Sequence, residues 1–249
     1  MGRIVPKPTH YCFPVVTFPA VLSEQLRRDP GRPLVTFYDD ATGERVELSV
    51  TTYANWVAKT ASLLQEELDL SRGDTVRLDL PTHWLGPVWL GAAWSLGLGL
   101  TSGEGDLVVC GPAGVDKYAG EGAPVVALSL RPLGGRFTEP LPDGVLDYGA
   151  VVLGQPDAFA PYDPPVSDDV AWVDEGTSQA DLLAAAADAS LVLDGHRLLT
   201  DLNPCTHYGS VTLLGPLQAG GGTVWVANPD EGSWERKRES ERAASVLRG

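Results

Sequence analysis

From residue 18 to residue 229 the sequence alternates helical segments with short apolar β-like runs, and this alternation restricts the fold more than any other feature. Residues 18–28 read as a short helix stopped by DPGRP. Two strand-like runs follow, PLVTFY (33–38) and ERVELS (44–49), joined by DDATG, whose Asp and Gly chemistry marks a hairpin turn. Thr51 or Thr52 is placed to cap the next helix, where Tyr53, Trp56, Val57, Thr60, Ala61, Leu64 and Leu68 share one face at helical spacing. SRGD then turns the chain into the strand TVRLDLP (75–81). The helix expected over 84–96 is apolar nearly all round, which marks it as buried. GLGLTSGEGDLVVCG supplies two further β segments around a Gly-rich turn.

Residues 134–165 are rich in Pro and Gly and read as connections, with a natural boundary at Pro161, Pro164 and Pro165. Beyond it, DDVAWV reads as a strand and TSQADLLAAAADASLVL as a helix. RLLTDL, HYGSVTLLGPLQAG and GGTVWVAN then give strand, helix and strand. The last segment, EGSWERKRESERAASVLRG, is expected as a charged, solvent-facing helix. The organisation expected is an N-terminal arm (1–17), a first α/β lobe (18–165), a smaller α/β segment packed on it (166–229) and the charged C-terminal helix (230–249). Strands separated by helices pair mostly in parallel, so the fold class is α/β, a layered αβα architecture with mostly parallel sheets. There is no internal repeat.

At 249 residues the chain can bury a substantial core. Its net charge of −15 argues against nucleic acid and anionic membrane surfaces as partners. No apolar run reaches the roughly 20 residues that span a bilayer. Arg3 and Lys7 precede the apolar patch YCFPVVTFPAVL, but Pro14 and Pro19 interrupt it and no small-residue cleavage site follows, so a signal peptide is not expected. Cys12, Cys110 and Cys205 have no metal-ligand spacing and read as buried reduced thiols of a cytoplasmic protein.

GLGLTSG (97–103) and AGGGTVWV (219–226) each follow a helix rather than open one, so they read as helix stops and not as phosphate loops. There is no G-x-S-x-G, H-E-x-x-H or G-x-x-x-x-G-K-[ST] motif. His10, His83, His196 and His207 sit in separate segments without a ligand pattern. His207 is the strongest candidate, because NPCTHYGS lies between a strand end and a helix start, where α/β folds place ligand contacts. Asn203 and Thr206 there read first as caps. Asp39–Asp40, Asp168–Asp169 and Asp174–Glu175 form no evident acid/base pair, so no catalytic residue and no metal site is expected.

Taken in order, these segments resemble the N-terminal part of the adenylate-forming superfamily, which includes acyl-CoA synthetases, luciferase and the adenylation domains of peptide synthetases. VTTYANWVAKTASLLQEELDLSRGDTVRLDLP is similar to that family's T-Y-x-E-L … G-D-x-V block, and WLGAAWSLGLGLTS to the buried helix that follows it. LLTDLNPCTHYGSVTLLGPLQAGGGTVWV resembles the block that runs from Pro, His and Gly into L-L-x-P-L-x-x-G-G-x-x-V, with His207 and Gly209 in matching positions. More narrowly, the chain resembles short actinobacterial relatives of those enzymes, and its preference for Arg over Lys suits a GC-rich genome.

The resemblance also exposes a gap. In the family, a strand like DDVAWV runs into a Thr/Ser/Gly-rich loop carrying a Lys, which closes over the ATP phosphates. Here Val173, Asp174, Glu175 and Gly176 join strand to helix directly, with one Gly, two carboxylates and no cation. The family's later Y-G-x-T-E block, ribose-binding Asp and lid Lys have no counterpart in these residues. The expectation is a truncated acyl-CoA-synthetase-like protein without catalysis or cofactor, serving as a binding or interaction module. Ligand contacts are expected at His207, Tyr208 and Gly209. Candidate partners are a protein and a small carboxylic acid or acyl ligand. The alternatives are one part of a split adenylate-forming ligase, which alone would call for ATP and Mg²⁺, and a small-molecule or acyl binder.

Overall fold

The structure is a computed structural model that describes residues 16–249. The expected N-terminal arm, with His10 and Cys12, falls outside the described residues over positions 1–15. Helix α1 (Phe18–Arg28) leads into the hairpin β1 (Pro33–Asp39) and β2 (Glu44–Ser49). Helix α2 (Val50–Ser62) follows, ended by a π-helical turn at Leu63–Glu67. Its cap is Ser49 rather than the expected Thr51 or Thr52: the Ser49 hydroxyl accepts from the Thr52 N–H at 3.1 Å.

Strand β3 (Thr75–Asp79), helix α3 (Leu85–Leu96), β4 (Gly99–Thr101) and β5 (Leu107–Cys110) come next. A run of short elements follows: α4 (Val115–Tyr118), β6 (Val125–Ala127), β7 (Val145–Asp147), α5 (Tyr148–Val151), β8 (Val170–Trp172) and β9 (Thr177–Ser178). The chain closes with α6 (Gln179–Asp188), β10 (Arg197–Thr200), α7 (His207–Gln218), β11 (Gly222–Ala227), α8 (Trp234–Ser240) and β12 (Ala243–Leu247).

These strands form two sheets, one in the order β12-β10-β11-β1-β2 and one in the order β7-β6-β5-β3-β4-β8-β9. Every pairing is parallel except the hairpins β1–β2 and β8–β9. Helix α2 packs on β1 and β2 and also on α3, α3 touches β4, and α7 lies on β10 and β11. The layered α/β class with mostly parallel sheets is therefore what the chain adopts.

All twelve residues of α3 are buried, as its apolar circumference requires. It approaches α2 so closely that a Cβ on Gly91 would stand 2.5 Å from the Tyr53 hydroxyl. Buried Gln179 links three helices, accepting from the Phe18 N–H at 3.1 Å and donating to the Trp94 carbonyl at 2.9 Å. No helix among the described residues is long and apolar enough to cross a membrane.

Two expectations about organisation fail. The boundary at Pro165 does not separate two lobes, because β1 and β2 join the sheet of β10–β12 while β8 and β9 extend the sheet of β3–β7. Pairing follows the burial of both faces of each strand, which places Val35 beside Thr223 across the length of the chain. The terminal segment is also not one charged helix. Helix α8 spans seven residues, and the chain then forms β12, which pairs in parallel with β10.

Candidate functional site

The junction after DDVAWV is a tight hairpin rather than the expected direct turn from strand to helix. Val173 N–H donates to the Leu100 carbonyl at 2.8 Å and Gly176 N–H to the Val173 carbonyl at 3.1 Å. Gly176 takes φ +63°, a left-handed value that a glycine adopts without strain. The return strand β9 pairs Thr177 with Trp172 and Ser178 with Val170.

Asp174 does not face a ligand space. Its carboxylate accepts from the Thr101 hydroxyl at 2.8 Å and from the Ser102 N–H and hydroxyl, both at 2.7 Å. It therefore caps the turn after β4, and the Ser102 N–H, the Ser102 hydroxyl and Thr101 hold its carboxyl below the ordinary range. Among the described residues, neither Asp174 nor Glu175 meets a lysine or arginine.

The helix that opens beyond the hairpin is also closed to anions. Ser178 caps α6 by accepting from the Asp181 N–H at 3.1 Å, and its hydroxyl donates back to the Asp181 carboxylate at 2.7 Å. The positive end of this helix thus already carries a carboxylate of the protein itself.

His207 is the first residue of α7, and the fold brings it to this same junction. Its Nε2 lies 3.2 Å from the Thr177 hydroxyl, its Nδ1 is 4.0 Å from a Glu175 oxygen, and its ring meets the Trp172 ring edge-on at 6.2 Å. Tyr208 points outward, 62% exposed. Gly209 is dictated by packing: a Cβ there would fall 1.8 Å from the Asn203 carbonyl oxygen. Its N–H donates to the Thr206 hydroxyl at 2.9 Å, the cap expected for this helix.

At 4.0 Å His207 and Glu175 are too far apart to pass a proton directly, and among the described residues the Thr177 hydroxyl is the one side-chain partner within hydrogen-bonding reach of the His207 ring. The clefts of about 480 and 490 Å³ lie elsewhere: one is bounded by Leu22, Val57 and Phe159, the other by Asp79, Gly111 and Lys117.

No protein-family model matches the sequence. A curated protein of Mycobacterium tuberculosis (strain ATCC 25618 / H37Rv), described as a TIGR03089 family protein, is 36% identical over 241 residues, covering 92% of this chain and 96% of the relative. The chain belongs to the TIGR03089 family. Two solved structures share the fold of this TIGR03089 chain, and both are roughly twice its length. An acyl-CoA synthetase of Brucella canis superposes with a TM-score of 0.75 at 19% identity, over 94% of this chain and 47% of the synthetase. An acetoacetyl-CoA synthetase from Streptomyces lividans gives 0.76 at 17% identity, over 94% and 42%. The TIGR03089 chain therefore has the fold of the N-terminal part of the adenylate-forming synthetases.

Sequence reasoning singled out the 173–176 junction and His207 separately. It missed Thr101 and Ser102, whose only signal was the turn chemistry of GLGLTSG, and it missed Thr177. Replacing Asp174 by alanine in this TIGR03089 chain is expected to lower stability by about 1 kcal/mol at pH 7, the size of a solvent-exposed cap. Because the folded-state carboxyl titrates below its unfolded value, this contribution is present above about pH 4 and is lost as the pH falls further. Urea melts of parent and variant should differ at pH 7 and converge near pH 3. Equal melts at pH 7 would show that the capping contacts contribute nothing.

Proposed function

We infer that this chain is a non-catalytic relative of the adenylate-forming synthetases, in which the fold persists as a binding or interaction module. The observation that carries this reading is the hairpin at Val173–Gly176, where Asp174 is consumed as a cap and no cation stands by among the described residues. Gripping a triphosphate takes free backbone N–H groups, small residues and a cation at a helix N-terminus. Here the N–H of Ser102 is already committed to a carboxylate and the first N–H groups of α6 to the Asp169 and Ser167 carbonyls and the Ser178 hydroxyl, and each added acid repels a phosphate by about 1 kcal/mol or more. The residues present do not fit ATP. Folds commonly outlast the sites they carried, which makes loss of catalysis with retention of the core a consistent outcome.

Cys110 and Cys205 are free and buried, which suits a reducing compartment, and the proposed location is the cytoplasm. A second reading, a carrier of a small carboxylic acid or acyl group, draws support from the apolar cleft of about 480 Å³ walled by Leu22, Leu26, Val57 and Phe159. Isothermal titration calorimetry separates the outcomes. ATP with Mg²⁺ is expected to give no heat beyond dilution, and saturable binding of ATP would overturn the main reading. Octanoate is expected to bind only if the carrier reading holds.

A further inference from the structure

Beyond the carboxyl ends of β1, β10 and β11, the edge at which open α/β sheets bind ligands, lies a second kind of cleft. It has a volume of about 400 Å³ and is lined by Phe37, Asp39, Glu44, His83, Asp201 and Asn228, among others. Three carboxylates face it, and no lysine or arginine lines it among the described residues.

Two of its polar side chains have atoms left without partners. His83 is only 4% exposed and stacks near Phe37, with ring centroids 4.9 Å apart. Its Nδ1 accepts from the Leu85 N–H at 3.2 Å, which places the ring proton on Nε2, and that Nε2 is buried with no hydrogen-bond partner. Burial pushes the imidazole down to about 4, so the ring stays neutral near pH 7 and offers one N–H.

Glu44, another residue lining the cleft, is half-buried, and its Oε1 atom is buried and unpartnered. Burial, with Asp39 nearby, raises its carboxyl above the ordinary range. Asp39 itself is satisfied by the Ala41 N–H, the Thr42 hydroxyl and the Asn228 amide at 2.8–3.0 Å. A buried donor and a buried acceptor left unpartnered on residues that line one cleft each cost stability unless something completes them. A metal ion does not fit, for no cluster of three His, Cys, Asp or Glu among the described residues has the geometry to hold one.

We propose that this cleft binds a small primary amine carrying an acceptor oxygen. The ammonium sits at Glu44 beside Asp39, the oxygen accepts from His83 Nε2–H, and the apolar body lies along Phe37, Leu130 and Val226. The acidic lining rejects carboxylates and phosphates, so this site is distinct from any acyl or nucleotide pocket, and its test does not depend on the outcome with ATP.

The probe is tyramine, titrated calorimetrically into the full chain at low salt. Saturable binding is expected. Phenethylamine, which lacks the oxygen, is expected to bind several-fold more weakly, and 3-(4-hydroxyphenyl)propionate, of the same shape but anionic, not at all. Glu44→Gln keeps the side-chain shape and is expected to weaken tyramine by about tenfold or more. His83→Phe is expected to bring tyramine to the level of phenethylamine. Circular dichroism checks that both variants fold, and if His83→Phe does not, the phenethylamine comparison reads the same contact. Absence of tyramine heat, equal binding of the propionate, or unchanged affinity in folded Glu44→Gln would each overturn the proposal.

Discussion

Gly209→Ala is expected to destabilise the protein by about 3 kcal/mol or more, although alanine is the better helix former. The backbone there is helical and requires no special φ; the obstacle is space. An added Cβ would lie 1.8 Å from the Asn203 carbonyl oxygen and 2.8 Å from its carbon, and backbone cannot rotate away as a long side chain can.

Asn203 is itself fixed. Its amide donates to the Leu80 carbonyl at 2.8 Å and its side-chain oxygen accepts from the Cys205 N–H at 2.9 Å. Leu80 follows β3, a strand of the other sheet, so yielding at Asn203 loosens the tie between the two sheets. For a chain of this size a loss of that magnitude lowers Tm by about 6–12 °C. A thermal melt monitored by circular dichroism measures it, and a shift within 2 °C would show that the loop relaxes freely. Tyr208→Ala, exposed and outside this contact, is expected to leave Tm unchanged within error. The pair of variants separates packing from surface chemistry in the block that carries His207 and Gly209.

That block illustrates what local sequence conveys and what it does not. The limits of α1 and β2 coincide with the segments expected from periodicity, because a Pro-Gly stop and a turn mark their ends. Gly97 and Gly220 take left-handed φ values of +75° and +71°, as helix stops should. The composition of α3 announced its burial.

Sheet membership was not legible in the same way. Nothing near β1 states that its parallel neighbour is β11, since that choice is made by the burial of both strands between helices. Strand β9 has two residues and no periodicity to read, so the hairpin at the candidate site was hidden. His207 and Glu175 were each visible in the sequence, but their approach to 4.0 Å is a product of tertiary packing that brings the start of α7 to β8 and β9, through Ser210 to Trp172 and His207 to Thr177.

The C-terminal segment departs from its expected form for a different reason: a run of charges does not by itself imply solvent. Glu241→Ala tests why that inference fails, and it is expected to cost about 3 kcal/mol or more. The Glu241 side chain is 6% exposed. One carboxylate oxygen accepts from the Tyr38 hydroxyl and from Arg45 Nε and Nη2 at 3.1 and 2.9 Å, and the other accepts from Arg197 Nη1 at 2.7 Å. Nearby, Lys237 is 5% exposed and pairs with Asp40 at 2.5 Å.

These charges lie over one face of the five-stranded sheet and anchor α8 and β12 to β1, β2 and β10. Removing the carboxylate leaves Arg197, 17% exposed and with its Nε already unpartnered, with only the more distant Glu47 carboxylate at 3.9 Å to balance its charge. Arg45 is 42% exposed and can rehydrate, which keeps the expected loss near the lower end of the range for buried ion clusters.

The pH dependence follows from the same contacts. Burial raises the Glu241 carboxyl, but the Tyr38 hydroxyl and the two arginines outweigh it, so the folded-state value lies below the unfolded one. Its contribution is therefore complete above about pH 4.3 and fades as the pH falls through the folded value. Urea melts should show Glu241→Gln, which keeps the shape without the charge, well below the parent at pH 7 and approaching it near pH 3. If Glu241→Ala and Glu241→Gln both melt like the parent at pH 7, the terminal segment is held by the pairing of β12 alone, and its charges only decorate the surface.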